Sequence, residues 1–237
     1  MKNKKNAIIL CSGGLDSVVT AHYVKNSLNY KKLVILFFNY GQRTLEQERK
    51  SARKCAQDLH GEFKEIKLEE LNKISTSLIN SHKKSNKIKR KQLKNTKKEH
   101  LNWYVPCRNT IFLIYALAFA ESELIKNKQK YDIFTGFKNE GKEAYPDTTQ
   151  QFVNEMNNLE RVSVGKKIKI IAPLIKKDKE DIIKLGIKLG VNLKETFSCY
   201  VGVNGDKIKQ CGTCLACMLR KEGFYWAGIK DMTKYLE

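Results

Sequence analysis

Ile8-Ile9-Leu10-Cys11-Ser12-Gly13-Gly14-Leu15-Asp16-Ser17 is the stretch on which the fold turns. An apolar run ends in Ser-Gly-Gly-x-Asp-Ser, and an amphipathic stretch follows without a gap. That order reads as a buried strand, a tight glycine loop and a helix N-terminus. Glycine lets the backbone turn through positive φ and keeps a Cβ out of a ligand's way. The first helical turn offers unpaired N–H groups at the positive end of the dipole, so an anion settles there. Ser12 and Ser17 add hydroxyls suited to phosphate oxygens, and Asp16 is placed to hold Mg²⁺ on them. No lysine follows the glycines, which excludes the phosphate loop that ends in Gly-Lys-Ser/Thr. An ordinary Gly-Gly turn between strand and helix is the plain alternative.

Working outward, Ala7–Cys11 and Lys32–Asn39 read as strands buried on both faces. A helix over Leu15–Asn26 joins them. Thr44-Leu45-Glu46-Gln47 matches a capping box, opening a helix that runs to about Leu59. Phe63–Leu68, Tyr131–Thr135 and Ile168–Ala172 are further strand candidates. Helices are expected over Asn109–Ile125 (apolar nearly all round, hence buried), Thr148–Glu160, and from Asp178 to near Gly190. Residues 72–101 have no sustained period and read as a polar excursion. Strands alternating with helices imply an α/β fold, a parallel sheet with helices on both faces. Ligands of such sheets gather beyond the strands' C-terminal ends, where the Ser12 loop, Tyr40 and Gly136 fall.

The chain has 237 residues and a formal charge of +20. That length fits one α/β domain over 1–195 and a small lobe over 196–237. No apolar run approaches the length of a membrane span, and Ala7–Cys11 is too short for a signal peptide. A cytoplasmic protein without membrane contact is the expectation. The charge invites a nucleic-acid reading, but it comes from 38 Lys against 7 Arg, whereas phosphate recognition favours the arginine fork. Nine basic residues and no acid lie within Lys83–Lys98. A solvated, partly disordered insertion is preferred there to an RNA-binding loop.

Of seven cysteines, Cys199, Cys211, Cys214 and Cys217 form C-x11-C-x2-C-x2-C. Two overlapping C-x2-C steps put three thiolates on one turn, and Cys199 completes a tetrahedral set, so structural Zn²⁺ is favoured. An iron–sulfur cluster and a redox dithiol are the alternatives. Cys11, Cys55 and Cys107 read as small buried residues.

Taken together these features resemble the 7-cyano-7-deazaguanine synthases of queuosine biosynthesis, within the ATP pyrophosphatases, whose loop Leu10–Ser17 resembles. The resemblance continues through Tyr40-Gly41-Gln42-Arg43, Val105-Pro106 with Arg108-Asn109, Gly136, Tyr145-Pro146-Asp147, Pro173-Leu174-Ile175 with Lys179, Thr196-Phe197-Ser198-Cys199-Tyr200, the cysteine triplet, and Arg220 with Gly223-Phe224. It implies an adenine nucleotide α-hydrolase-like fold with a zinc lobe, and a homodimer. The implied activity is ATP-dependent conversion of a 7-deazaguanine carboxylate and ammonia, through adenylate and amide, to a nitrile. The implied ATP and Mg²⁺ site is Leu10, Cys11, Ser12, Gly13, Gly14, Leu15, Asp16 and Ser17 with Tyr40, Gln42 and Arg43. Arg108 and Lys179 are candidates for stabilising charge beside Asp16, and Arg108, Asn109, Gly136, Tyr145 and Asp147 for contacting the base. Three positions depart from the family pattern: Thr44 for His, Cys107 for Gly or Ala, and Thr148-Thr149 for Cys and a basic residue. A paralogue that stops at the amide or joins the acid to another amine is the first alternative. A tRNA-modifying relative and a non-catalytic zinc-bearing nucleic-acid binder follow.

Overall fold

The computed structural model describes residues 5–236 apart from 82, 140, 142–144, 166 and 203–208. Residues 1–4, Lys2 and Lys4 among them, lie outside the described residues. Five strands, β1 (Asn6–Leu10), β2 (Lys32–Asn39), β3 (Glu62–Lys67), β4 (Tyr131–Phe134) and β5 (Ile170–Ile171), form one sheet in the order β3-β2-β1-β4-β5. Every neighbouring pair is parallel. Ile8 lies beside both Val34 and Ile133, which centres the sheet on β1.

Side chains alternate along each strand, so the sheet feeds two cores. Ala7, Ile9, Leu33, Ile35, Phe37 and Phe134 face one, with α1 (Leu15–Asn26), α2 (Leu45–Asp58), α7 (Lys179–Lys188) and α8 (Leu215–Ala227) against them. Ile8, Val34, Leu36, Phe38 and Ile133 face the other, covered by α5 (Arg108–Asn127) and α6 (Gln150–Ser163). Burial on both faces is why β1 and β2 read as continuous apolar runs. Each such side chain contributes about 1.5–3 kcal/mol. The chain adds β2 and β3 on one side of β1, then crosses to place β4 on the other. The crevice opens where that order reverses, beyond the ends of β1 and β4.

Several expectations are corrected. Helix α1 is not amphipathic but buried nearly all round, because the sheet, α2 and α7 enclose it. The capping box at Thr44 does not form; its hydroxyl instead donates to Glu48 Oε1 at 2.5 Å. Helix α5 is buried on one face only, leaving Ile114, Tyr115 and Ile125 exposed. Strand β5 is shortened because the amide of Ile168 donates to Glu160 Oε1 rather than to a strand. Cys107 is exposed, not buried.

The polar excursion is built rather than loose. It holds α3 (Glu69–Ile74), two single 3-10 turns and α4 (Lys97–Trp103). Ile79, Ile88 and Trp103 are buried along it. At its midpoint the Ile88 amide donates to the Thr213 carbonyl at 2.7 Å, inside the cysteine triplet. Arg90 pairs with Glu222 of α8 at 2.7 Å. The lysine-rich run is therefore a strap buckled to the C-terminal cysteine segment, with Lys83, Lys84, Lys87, Lys89, Lys91, Lys94 and Lys97 exposed. No helix among the described residues is long and apolar enough to cross a membrane.

Candidate active site and metal centre

Leu10 ends β1, and the loop after it is shaped by close packing. Gly13 has φ +78°, and a Cβ there would lie 2.6 Å from the Glu48 carbonyl oxygen and from Ser51 Cβ of α2. Only glycine satisfies both demands. Gly136, just past β4, would put a Cβ 2.9 Å from the amide nitrogen of Ser17. Its missing side chain lets β4 close on the N-terminus of α1. The Ser17 hydroxyl donates to the Gly14 carbonyl at 3.1 Å, and the Gly14 amide donates to Ser12 Oγ at 3.3 Å. The Phe197 amide donates to the Gly13 carbonyl at 2.9 Å, tying the start of the lobe to the loop.

This loop forms one wall of a cleft of about 290 Å³. Lys179, the first residue of α7, donates to Asp16 Oδ1 at 2.8 Å and Oδ2 at 2.6 Å. Residues 163 positions apart thus neutralise each other in the lining of the cleft. The opposite wall carries Trp103, Tyr104, Arg108, Tyr145, Asp147 and Tyr200. Tyr104 stacks on Tyr145 with ring centres 5.6 Å apart, and Trp103 meets Tyr200 at 5.2 Å. Tyr145 donates its hydroxyl hydrogen to the His100 carbonyl at 2.9 Å. Asn109 fixes Asp147 through its own side-chain amide, which donates to the Asp147 carbonyl at 3.2 Å.

Charges in the cleft are displaced from their ordinary behaviour. Burial pushes the Asp147 carboxyl up, with Arg108 and Asn109 acting against that shift. Burial lifts Tyr40 to about 12, against the pull of the Arg108 charge. Glu48 is lifted to about 7 by burial, although hydrogen bonds from Thr44 and Gln42 and the Arg108 charge oppose the rise. For Arg108 itself burial works against its charge, and Tyr40, Tyr200 and Asp147 outweigh it, so its pKa is raised.

The sulfurs of Cys199, Cys211, Cys214 and Cys217 all lie within 4.8 Å of one another. Amides of Val201, Gly202 and Cys211 donate to Cys199 Sγ at 3.3–3.4 Å, and that of Cys214 to Cys211 Sγ at 3.3 Å. Such donors suit thiolates, and the set can hold a tetrahedral ion such as zinc. Gly212 curls the turn at φ +75°. Buried Arg220 fastens the lobe by donating to the Thr196 and Ser198 hydroxyls and the Leu193 carbonyl, at 2.7–3.0 Å.

The family model described as "Queuosine biosynthesis protein QueC" matches residues 6–228. This chain belongs to the QueC family. A 7-cyano-7-deazaguanine synthase from Methanocaldococcus jannaschii is 38% identical over 98% of this chain and 99% of its own length. One from Methanococcus maripaludis strain C5 is 37% identical over 97% of this chain and 98% of its own. That from Sulfolobus acidocaldarius is 34% identical over 99% of this chain, which spans 48% of that longer protein.

Of the residues singled out in the sequence, Leu10, Cys11, Ser12, Gly14, Leu15, Asp16, Ser17, Tyr40, Arg108, Asn109, Gly136, Tyr145, Asp147 and Lys179 line this one cleft. Gly13 lies behind the loop against α2. Gln42 is buried beneath the cleft, accepting from the Tyr40 amide and donating to the Phe38 carbonyl. Arg43 points to the Lys83 carbonyl of the strap at 3.0 Å. Glu48 and Ser198 line the cleft and were not foreseen. A capping-box reading of Thr44 hid the i, i+4 relation between Thr44 and Glu48. Cys107 stands in the left-handed conformation at φ +54°, a region that favours glycine.

Proposed function

We propose that this chain is an ATP-dependent ligase that converts 7-carboxy-7-deazaguanine and ammonia to 7-cyano-7-deazaguanine, releasing AMP and pyrophosphate. One observation carries the proposal: the anion-seating loop and an aromatic wall with a buried carboxyl face each other across one cleft. A triphosphate lies on the loop amides and the hydroxyls of Ser12 and Ser17. Asp16 would hold Mg²⁺ on the phosphates, leaving Lys179 to turn its ammonium toward them. The base stacks among Tyr104, Tyr145 and Tyr200, and Asp147 accepts from the N–H donors of its guanine edge.

A carboxylate resists attack by an amine until one oxygen becomes a good leaving group. Its oxygen attacks the α-phosphorus, pyrophosphate departs, and ammonia displaces AMP to give the amide. The amide oxygen repeats the attack on a second ATP, and loss of AMP then leaves the nitrile. Arg108 and Lys179 stabilise the negative charge that gathers around the α-phosphorus, the kind of fixed electrostatic aid that dominates such reactions. Cys199, Cys211, Cys214 and Cys217 would hold zinc, which would supply no chemistry in these steps and would brace the segment that lends Ser198 and Tyr200 to the cleft. A cytoplasmic homodimer belongs to the same reading, and sedimentation measures the dimer.

Mass spectrometry of products from ATP, ammonium and the carboxylated base tests the proposal. AMP appears only when the base is present, and the nitrile accompanies it. AMP release indifferent to the base ends the reading. The paralogue alternative draws support from Thr148, which lines the cleft where the family pattern has Cys. Amide as the final product selects it.

A further inference from the structure

The last step of the reaction proposed above must strip a proton from nitrogen, and the groups already assigned do not take it. When the amide oxygen attacks ATP, one N–H proton is lost and pyrophosphate, basic at neutral pH, carries it away. The product is an imidate whose carbon bears O–adenylyl and =NH. To form the nitrile, the C–O bond breaks with its electrons going to AMP. The remaining N–H bond supplies the third C–N bond, and its proton needs an acceptor.

We propose that Glu48 accepts this final N–H proton, and that Thr44 and Gln42 hold its carboxylate in place for the transfer. This rests on the ligase reading of the cleft. Three carboxylates line that cleft, and they are held differently. Asp16 is clasped by the Lys179 ammonium through both oxygens. Asp147 is fastened through Asn109. Glu48 is hydrogen-bonded by two neutral donors, the Thr44 hydroxyl at 2.5 Å and the Gln42 side-chain amide at 3.2 Å. Each oxygen keeps a lone pair for an incoming proton.

The setting is built for a fixed orientation. Glu48 lies in the first turn of α2 and is 9% exposed, with its carbonyl packed behind Gly13 of the phosphate loop. Gln42 is locked between the Tyr40 amide and the Phe38 carbonyl, so it cannot swing away from Glu48. Arg108 from α5 and Tyr40 beyond β2 are the ionisable groups that face the carboxyl. Burial raises its pKa to about 7. A base works best when its pKa lies near the working pH. The same network gives the Thr44 departure a role, since a hydroxyl at that position reaches Glu48.

The experiment compares amide and nitrile formation in wild type and Glu48→Gln, using ATP, ammonium and 7-carboxy-7-deazaguanine across pH 5.5–8.5. Nitrile formation in the variant falls about 100-fold more than amide formation, amide accumulates, and the rise of the nitrile rate through about pH 7 disappears. Glu48→Asp recovers part of the nitrile rate. Thr44→Val removes a donor that favours the ionised carboxylate, so it moves the pH limb upward, and it serves as the test should Glu48→Gln not fold. Equal losses in both halves with an unchanged pH profile assign Glu48 a purely structural role and overturn the proposal. So does wild-type nitrile output from the variant, or an unmoved limb in Thr44→Val. A wild-type chain that makes no AMP fails one step earlier, at the ligase reading, and takes this proposal with it.

Discussion

The Ser12–Ser17 loop carries hydrogen bonds that span two to six positions, from the Gly14 amide to Ser12 Oγ out to Cys11 Sγ with Ser17 Oγ, beside a long tie from the Phe197 amide to the Gly13 carbonyl. The facing wall is held by bonds that span 38 and 45 positions, Asn109 to Asp147 and Tyr145 to His100. Its strap reaches further still, from Ile88 to Thr213. The loop's local bonds belong to its own decapeptide, with the Phe197 amide and Lys179 as long-range ties, whereas the aromatic wall exists only when three distant segments dock. The loop side of the cleft is thus organised chiefly by backbone geometry, and the aromatic side by packing against the cysteine segment.

Metal removal breaks this contrast most strongly. Chelation, or Cys214→Ser, is expected to cost on the order of 10 kcal/mol of local folding. Calorimetric titration then shows binding of the deazaguanine acid lost, while a non-hydrolysable ATP analogue keeps most of its affinity. Equal loss of both ligands dissolves the distinction between the walls. Next in size is Lys179→Met, which leaves Asp16 unpaired and lowers AMP release roughly 100- to 1000-fold. An unchanged rate in stopped assays makes the ion pair a structural clasp.

The contrast also predicts a pH signature beneath the loop. Burial holds the Glu48 carboxyl at about 7 against an ordinary 4.5, so the folded chain binds that proton more tightly than the unfolded one. Its contribution is therefore complete below pH 4.5 and is lost as pH rises through 7, by about 3 kcal/mol. Urea melts between pH 5 and 8 measure the slope, and Glu48→Gln flattens it. The smallest effect belongs to the entrance of α5. Replacing left-handed Cys107 by glycine relieves its strain and adds about 1 kcal/mol to stability, seen as a shifted urea midpoint.

Legibility followed the same division. The strand–loop–helix unit, the parallel sheet implied by alternation and the four sulfurs were readable because each depends on near neighbours or on spacing. Helix α1 begins and ends where its sequence predicts, at Leu15 and Asn26. The strap was not readable, because lysines conceal three buried anchors, Ile79, Ile88 and Trp103, spaced too irregularly to show a period. Glu48 was missed for a related reason. A glutamate in the first turn of a helix reads as a solvent-exposed partner of the dipole, whereas here Thr44, Gln42 and the Gly13 loop pack around it, with the Arg108 charge nearby. Arg43 and Gln42 stand in the same signature as Tyr40, yet one turns outward to the strap and the other downward into the core. Adjacency in sequence did not disclose that divergence.

The buckle between Ile88 and Thr213 divides the strap into two spans with different freedom to change length. Between Ile79 and Ile88 the chain bridges fixed points, so an inserted or deleted residue would pull the amide off its carbonyl. Beyond Arg90, residues 91–95 finish a mostly exposed 3-10 turn ahead of buried Thr96, and doubling a loop at such a surface turn costs only about 0.6 kcal/mol in closure entropy. Natural indels and engineered grafts will be absorbed in that outer span alone, which makes it the place to hang a tag or fluorophore without disturbing the cleft.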